Sequence, residues 1–461
     1  MPHLFKRIIT LFCLALLALG PCRAALAQRG QPSLIRDAEI ESTIRTFITP
    51  IWRVAGLDPE AVAIMIVQDN SLNAFVAGGQ RIFINTGLLM RTERPNQLIG
   101  VLAHETGHIA GGHLARQQEE LRNLSTMQIL ETLLGGAAAV GGGIAGGGRG
   151  GGGGSVTGPG GQGIPGSMSS FLRYSQTQES SADQAAITFL ERAHESPKGT
   201  VEFLHILERQ ERLTIGRVST PYLTTHPLTP DRIATFEDAA QRSPYRDVPD
   251  PPQFIELHQR MIAKLIGFTA PDAALSRYAE GDRAIPARYA RAIALYRKGT
   301  IGSALLTLDG LLKERPNDPY FHELRGQILF ENGRPADAVP SYRRAVQLAP
   351  AAGIIKVDFA RALIETNKPD ADREAVRNLD LAVQQGEADS FELWRLEGTA
   401  YSRMGNEGMT SLTRAEMAII RGQRAEAQAH AAAAVHQLPA GTPAWQRAQD
   451  IQAYIKTRPR K

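Results

Sequence analysis

The chain has 461 residues, 43% apolar and 6% aromatic, with a formal net charge of +4, a balance ordinary for soluble domains and long enough for two or three of them. Lys6, Arg7 and Arg23 are the only formal charges in residues 1–27, so the remainder carries +1. That near-neutral remainder removes the basic surface on which nucleic-acid binding depends.

Residues 1–27 read as a secretory signal peptide. Lys6 and Arg7 open it, residues 8–19 form a short apolar run, and Ala25-Leu26-Ala27 offers small residues to a signal peptidase. The run is too short to cross ~30 Å of hydrocarbon comfortably, so no transmembrane span is expected once it is removed. Both cysteines, Cys13 and Cys22, lie inside it, so the mature chain would hold no disulfide, thiolate nucleophile or cysteine metal ligand. An exported protein of the periplasm fits this reading.

In chain order, residues about 33–55 have helical pattern. Two strand segments follow, 61–68 and 73–87, the second broken by Gly78-Gly79 as a hairpin turn or bulge. A helix starts near Pro95 and runs past His113, with Leu98, Val101, Leu102, Ile109 and Leu114 at helical spacing. More than half of residues 135–166 are glycine. With no GxxxxGK[ST], they read as a flexible loop rather than a phosphate cradle. Helical pattern returns over 169–212 and again after the Pro- and Thr-rich stretch 220–230. Residues 243–253 read as a linker.

From 254 to 461 the chain is helical and repetitive. Ala304, Ala338 and Ala427 hold matching small-residue positions, with Gly299, Gly333 and Gly422 five residues before and Pro316, Pro350 and Pro439 twelve after. The step from 304 to 338 is the tetratricopeptide period. Tyr342 and Ala345 fit that pattern, and Gly326 and Gly398 fit a tight contact in a first helix. The stretches 353–385 and 390–421 are irregular. The expected fold is therefore α+β and predominantly α. A peptidase-sized domain with a small sheet (28–242) precedes a tetratricopeptide solenoid (254–461).

The sharpest chemical signal is His104-Glu105-Thr106-Gly107-His108. On a helix, positions i and i+4 share a face, so two imidazoles there can bind one Zn²⁺, with Glu105 as general base toward a water. A catalytic zinc takes three protein ligands and keeps one open position. His113 lies nine residues after His104, about 100° of rotation short of a third-ligand position at 114, and is expected on the helix surface. Glu179 is the better third ligand. Asp183, one turn on, can accept a hydrogen bond from the second nitrogen of a ligating histidine. Ser180, Ser181 and Ala182 between them permit close helix approach.

HExxH followed by ExxxD on a later helix resembles the gluzincin metallopeptidases. With the signal peptide, Asn73-Ala74-Phe75, Thr224-Thr225-His226-Pro227-Leu228 and the repeat tail, the chain resembles the HtpX-related peptidases in their periplasmic, repeat-bearing form. The polyglycine stretch departs from that family, which usually carries a mixed loop there. The resemblance implies an endopeptidase with one zinc per chain, acting on misassembled outer-membrane proteins. The repeat arm would hold those substrates or the outer-membrane assembly machinery. It further implies that Asn73, Ala74 and Phe75 form an edge strand for substrate, that His226 approaches the zinc from a loop, and that Arg232 faces the cleft. From the residues alone, His226 also reads as a turn residue held by Pro227, and Arg232 reads rather as an ordinary helix-start charge. The competing function is a non-catalytic assembly scaffold or chaperone; an intact Glu105 argues for chemistry.

Overall fold

The computed structural model describes residues 33–113, 176–213, 222 and 225–457. Residues 1–27, read above as a signal peptide, and the glycine-rich stretch 135–166 lie outside the described residues. The fold is α+β and mostly helical.

After a short strand β1 (Leu34–Ile35), helix α1 (Ala38–Val54) begins at Asp37, whose carboxylate accepts from the Ile40 amide at 2.9 Å. Ile40, Ile44, Phe47, Ile48, Ile51 and Trp52 make its apolar stripe and are all buried. Strands β2 (Ala63–Val67), β3 (Ala74–Ala77) and β4 (Arg81–Asn85) join β1 in a sheet of order β1-β2-β4-β3. β2 and β4 run parallel, while β3 and β4 form an antiparallel hairpin. The break at Gly78-Gly79 is that hairpin's turn, and both glycines have positive φ, +61° and +99°. β3 is an edge strand, and Asn73 through Ala77 are nonetheless buried, with Phe75 stacked on Phe83.

The inner face of the sheet (Ile64, Ile66, Val76, Ile82, Ile84) packs into one core with α1 and with α3 (Pro95–Ala110), which follows the short α2 (Thr86–Arg91). Helices α4 (Gln176–Arg192), α5 (Lys198–Leu213) and α6 (Pro230–Arg242) complete this part. The described part of the helical pattern at 169–212, from 176 on, is thus two helices, separated where His194 takes φ +60°. α3 stops three residues before His113 instead of running through it.

Residues 243–251 are coil but tied down. Asp250 accepts from Arg94 Nε at 3.0 Å and from the Asn96 amide at 3.1 Å, and Arg246 O accepts from Ser196 Oγ at 2.7 Å. Helix α7 (Pro252–Thr269) then gives Met261 and Leu265 to the first core and turns Ile262 and Ile266 toward α8 (Pro271–Arg277) and the repeats.

Five helical pairs follow: α9 and α10 (Ile285–Arg297, Ile301–Glu314), α11 and α12 (Pro319–Glu331, Pro335–Leu348), α13 and α14 (Gly353–Glu365, Pro369–Gln384), α15 and α16 (Phe391–Arg403, Glu407–Ile420), α17 and α18 (Arg424–Gln437, Pro443–Thr457). Gly299 and Gly333 sit between the helices of a pair and Gly422 between α16 and α17, all with φ near +70° to +80°, and Ala304, Ala338 and Ala427 are fully buried. A side chain at Gly326 would overlap the Tyr342 ring.

A buried charge network joins the repeats to α1. Arg260 Nη2 lies 2.6 Å from Glu39 Oε1 and 3.1 Å from Asp318 Oδ1, Lys264 Nζ lies 2.8 Å from Asp37, and the Tyr289 hydroxyl donates to Glu39 at 2.7 Å. Farther along, Arg36 pairs with Glu387 at 2.9 Å, and Ala38 enters the core of the middle repeats. Leu34–Lys461 accordingly forms one compact unit. Burying such charges is tolerable only while every partner stays in place. Arg260→Ala leaves Glu39, fully buried, short of its nearest cation, and is expected to cost about 3–5 kcal/mol in urea unfolding. A cost under about 1 kcal/mol would mean that this network does not join the two parts.

Candidate metal centre

Every residue of α3 from Pro95 to Ile109 is buried. Two glycines let the neighbouring helices come that close. A Cβ on Gly107 would fall 2.7 Å from the Ala182 carbonyl oxygen of α4, and one on Gly100 would fall 2.1 Å from Thr200 Oγ1 of α5. Contact at backbone range brings the acidic face of α4 onto the histidine face of α3.

His104 Nε2 and His108 Nε2 are 3.1 Å apart. Glu179 Oε1 lies 3.2 Å from His108 Nε2, and Oε2 lies 3.5 Å from His104 Nε2. His226, 122 residues from His104, brings Nδ1 to 2.9 Å from Glu179 Oε1 and 3.3 Å from His104 Nε2. Its Tyr222 neighbour stacks on the ring, with centroids 4.8 Å apart, and accepts the His226 amide at 2.7 Å. These four donors, all buried, lie within 4.8 Å of one another.

The edges of this figure can be tested against a metal. Ligands at about 2.0–2.1 Å in a tetrahedron stand about 3.3–3.4 Å apart. The five donor distances given above, 2.9–3.5 Å, bracket that value. The hydrogen-bond network also fixes which nitrogens face inward. Asp183 Oδ1 lies 2.8 Å from His104 Nδ1, and His113 Nδ1 lies 3.0 Å from His108 Nδ1. With both Nδ1 atoms so engaged, both Nε2 lone pairs aim at one point, which a cation suits and neutral imidazoles alone do not.

Charge agrees with geometry. Glu105, Glu179 and Asp183 against Arg232 leave a formal −2 when the imidazoles are neutral, the complement of a divalent ion. Without a metal, burial works against a charged His104, yet Glu179 and Asp183 beside it overcome that and raise its pKa to about 10, so a cation bound there takes the place of the His104 proton. Burial raises the Glu105 carboxyl, with His226 and His104 only partly opposing it. Glu105 is fully buried and neither oxygen accepts a hydrogen bond among the described residues; His226 Nε2, at 3.4 Å, is beside it. Its carboxylate therefore has lone pairs available inside the cluster.

Arg232 braces the assembly. Nε and Nη2 hold Asp183 at 2.6 and 2.9 Å, Nη1 meets Glu179 Oε2 at 2.6 Å, and Nη1 also donates to Pro227 O at 2.9 Å. One guanidinium thus locks α4 to the His226 loop. Its flank lines a pocket of about 230 Å³ that reaches Glu179 between Ser180, Gln184 and Thr229. His113, expected on the helix surface, is half-buried against His108. α3 ends at Ala110, and Gly112, at φ +61°, turns the chain back. Tyr222 and Gln178 have no signature in the sequence; Asn73, Ala74 and Phe75 lie in and next to β3, which packs on α3.

Residues 35–240 match the model of peptidase family M48, and residues 289–353 match a tetratricopeptide repeat. The chain is 24% identical over 409 residues to the beta-barrel assembly-enhancing protease of Yersinia pestis, covering 87% of this chain and 80% of that one. It is 23% identical over 420 residues to the protein of the same name from Escherichia coli K12, covering 90% and 82%.

The backbone contact at Gly107 generates a direct test. Gly107→Ala must push Ala182 away, so the protein is expected to lose about 1–3 kcal/mol and most of its affinity for divalent metal. In the wild type, zinc at 100 times its dissociation constant should stabilise by about 2.7 kcal/mol in thermal unfolding. Equal metal affinity in Gly107→Ala and wild type would contradict the role given to this contact.

Proposed function

We propose that this chain, a metallopeptidase that carries a peptidase family M48 domain ahead of tetratricopeptide repeats, is a zinc endopeptidase of the periplasm that cleaves misassembled outer-membrane proteins. The observation that carries the reading is the buried cluster of three imidazoles and one carboxylate, its donors within 4.8 Å of one another, with Glu105 against it. Nitrogen and oxygen donors without sulfur at four-coordinate spacing favour zinc over hard six-coordinate ions. The names of the relatives point to β-barrel assembly as the setting, and the repeats offer a surface for polypeptide partners. Among the described residues no helix is long and apolar enough to cross a membrane.

In this reading His104, His108 and Glu179 hold the zinc, which when bound polarises a carbonyl and eases deprotonation of water. Asp183 and Arg232 keep the ligands oriented. Glu105 takes the proton of the attacking water on a carboxylate oxygen and returns it to the leaving amine nitrogen. The raised carboxyl pKa that burial gives Glu105 suits a group that must both accept and release a proton near neutrality. β3 offers substrate a strand to pair with, next to α3. His226 occupies the fourth donor position in this conformation and faces Glu105, so its loop restrains the site until substrate or a partner displaces it.

Glu105→Gln keeps the shape and removes the base. It is expected to bind zinc like the wild type and to lose 10²–10⁴-fold in cleavage of unfolded outer-membrane protein. Wild-type cleavage by this variant would overturn the mechanism and leave the assembly-scaffold reading. In the same assay, zinc-replete His226→Ala should cleave faster than wild type; slower cleavage of every substrate would make His226 a catalytic contact instead.

A further inference from the structure

α3 ends at Ala110, yet His113 returns to it. The Gly111 amide donates to Gly107 O at 2.9 Å, the Gly112 amide to Ile109 O at 3.1 Å, and the His113 amide to His108 O at 3.2 Å. The last of these bonds reaches back five residues, one more than in an α-helix, and Gly112 at φ +61° makes it possible. The imidazole of His113 then lies over the backbone of Gly111. A Cβ there would fall 2.4 Å from His113 Nε2 and 2.8 Å from Cε1, so residue 111 leaves the ring room only as glycine. From the other side, Gln178 Nε2, next to the candidate ligand Glu179 on α4, donates to His113 O at 2.9 Å. Three separate devices thus fix one histidine that the metal cluster does not include.

Its ring meets His108 edge-on, with centroids 5.1 Å apart at 78°, and Nδ1 faces Nδ1 at 3.0 Å. Two imidazole nitrogens at that distance share one proton, so one ring donates and the other accepts. If His108 donates, its Nε2 carries the lone pair that faces Glu179 and His104. If His113 donated instead, His108 would carry its proton on Nε2, which points at His104 Nε2 3.1 Å away. Only the first arrangement leaves His108 able to bind a cation.

We propose that His113 is a positioning residue: by accepting from His108 Nδ1, it holds the His108 imidazole in the tautomer and orientation that turn Nε2 to the metal. His104 obtains the same service from the Asp183 carboxylate. The two ligating histidines are therefore supported differently, one by an anion shared with Arg232, the other by a neutral ring fixed by the turn after its own helix. Partners of this kind typically matter 10–100-fold in metal affinity. The Gly111-Gly112 pair exists to place that partner, and Gln178 couples its position to the helix that carries Glu179.

This inference rests on the metal reading above, and the experiment separates the two. The full mature chain is stripped of metal and titrated with zinc against a competing chelator. His113→Leu fills the space without an acceptor and is expected to raise the zinc dissociation constant 10–100-fold. His113→Asn presents an amide oxygen where Nδ1 stood and is expected to recover to within about threefold of wild type. Gly111→Ala, which displaces the ring while leaving it in the chain, should reproduce the leucine variant. A merely structural role would move the melting temperature of the metal-free protein and leave asparagine no better than leucine. Wild-type affinity in a folded His113→Leu, or failure of asparagine to rescue, overturns the positioning role alone. A wild type that binds no zinc overturns the metal reading with it.

Discussion

The site depends on one contact, the backbone-range crossing of α3 and α4 at Gly107 and Ala182. A helix presents its side chains about 5 Å from its axis, so an ordinary crossing keeps a carboxylate on one helix several ångströms from an imidazole on the next. Glycine on one side and alanine on the other remove that spacer. Glu179 and Asp183, one turn apart, then reach His104 and His108 without stretching, and Asp183 reaches the nitrogen that Glu179 leaves open. Gly100 plays the corresponding part toward α5 at Thr200, so α3 is gripped along its length. A helix buried on every side has little freedom to drift, and a metal site needs its ligands held to a fraction of an ångström.

Holding those groups in a dry interior has a large electrostatic cost, and the structure meets it locally. Arg232 neutralises part of the charge of Asp183 and Glu179 while tying them to the His226 loop. The remaining negative charge is what a divalent ion would balance. The same principle recurs at the junction with the repeats, where Glu39, Arg260 and Lys264 are buried with Asp318 half-buried beside them. There the charges bind α1 and α7 to the first repeats.

Much of this was legible in the sequence, and the reasons are physical. The i, i+4 histidines, the small residues of α4 and the 34-residue step each carry a local geometric constraint that survives without coordinates. The regular repeats were readable because a left-handed turn demands glycine and a tight crossing demands alanine. The irregular ones obey the same geometry with other residues. Asn367 takes φ +60° where glycine stood in earlier repeats, and Asp372, buried and facing Arg403, fills the small-residue position. His113 stays out of the donor cluster, as helix rotation predicts, but it is half-buried rather than on the surface because the helix ends before Gly111-Gly112. Tyr222 has no spacing rule behind it at all, since its role arises only when the His226 loop folds back. The 243–253 segment looked like a linker from composition, and composition does not report that Asp250 caps α3.

The central claim is that His104, His108 and Glu179 surround one metal ion. Anomalous scattering at the zinc edge from crystals of the mature protein tests it most directly. The account predicts a single peak per chain about 2.0–2.2 Å from His104 Nε2, His108 Nε2 and a Glu179 carboxylate oxygen. A zinc-soaked crystal with the peak elsewhere, or with no peak between these three side chains, would contradict it.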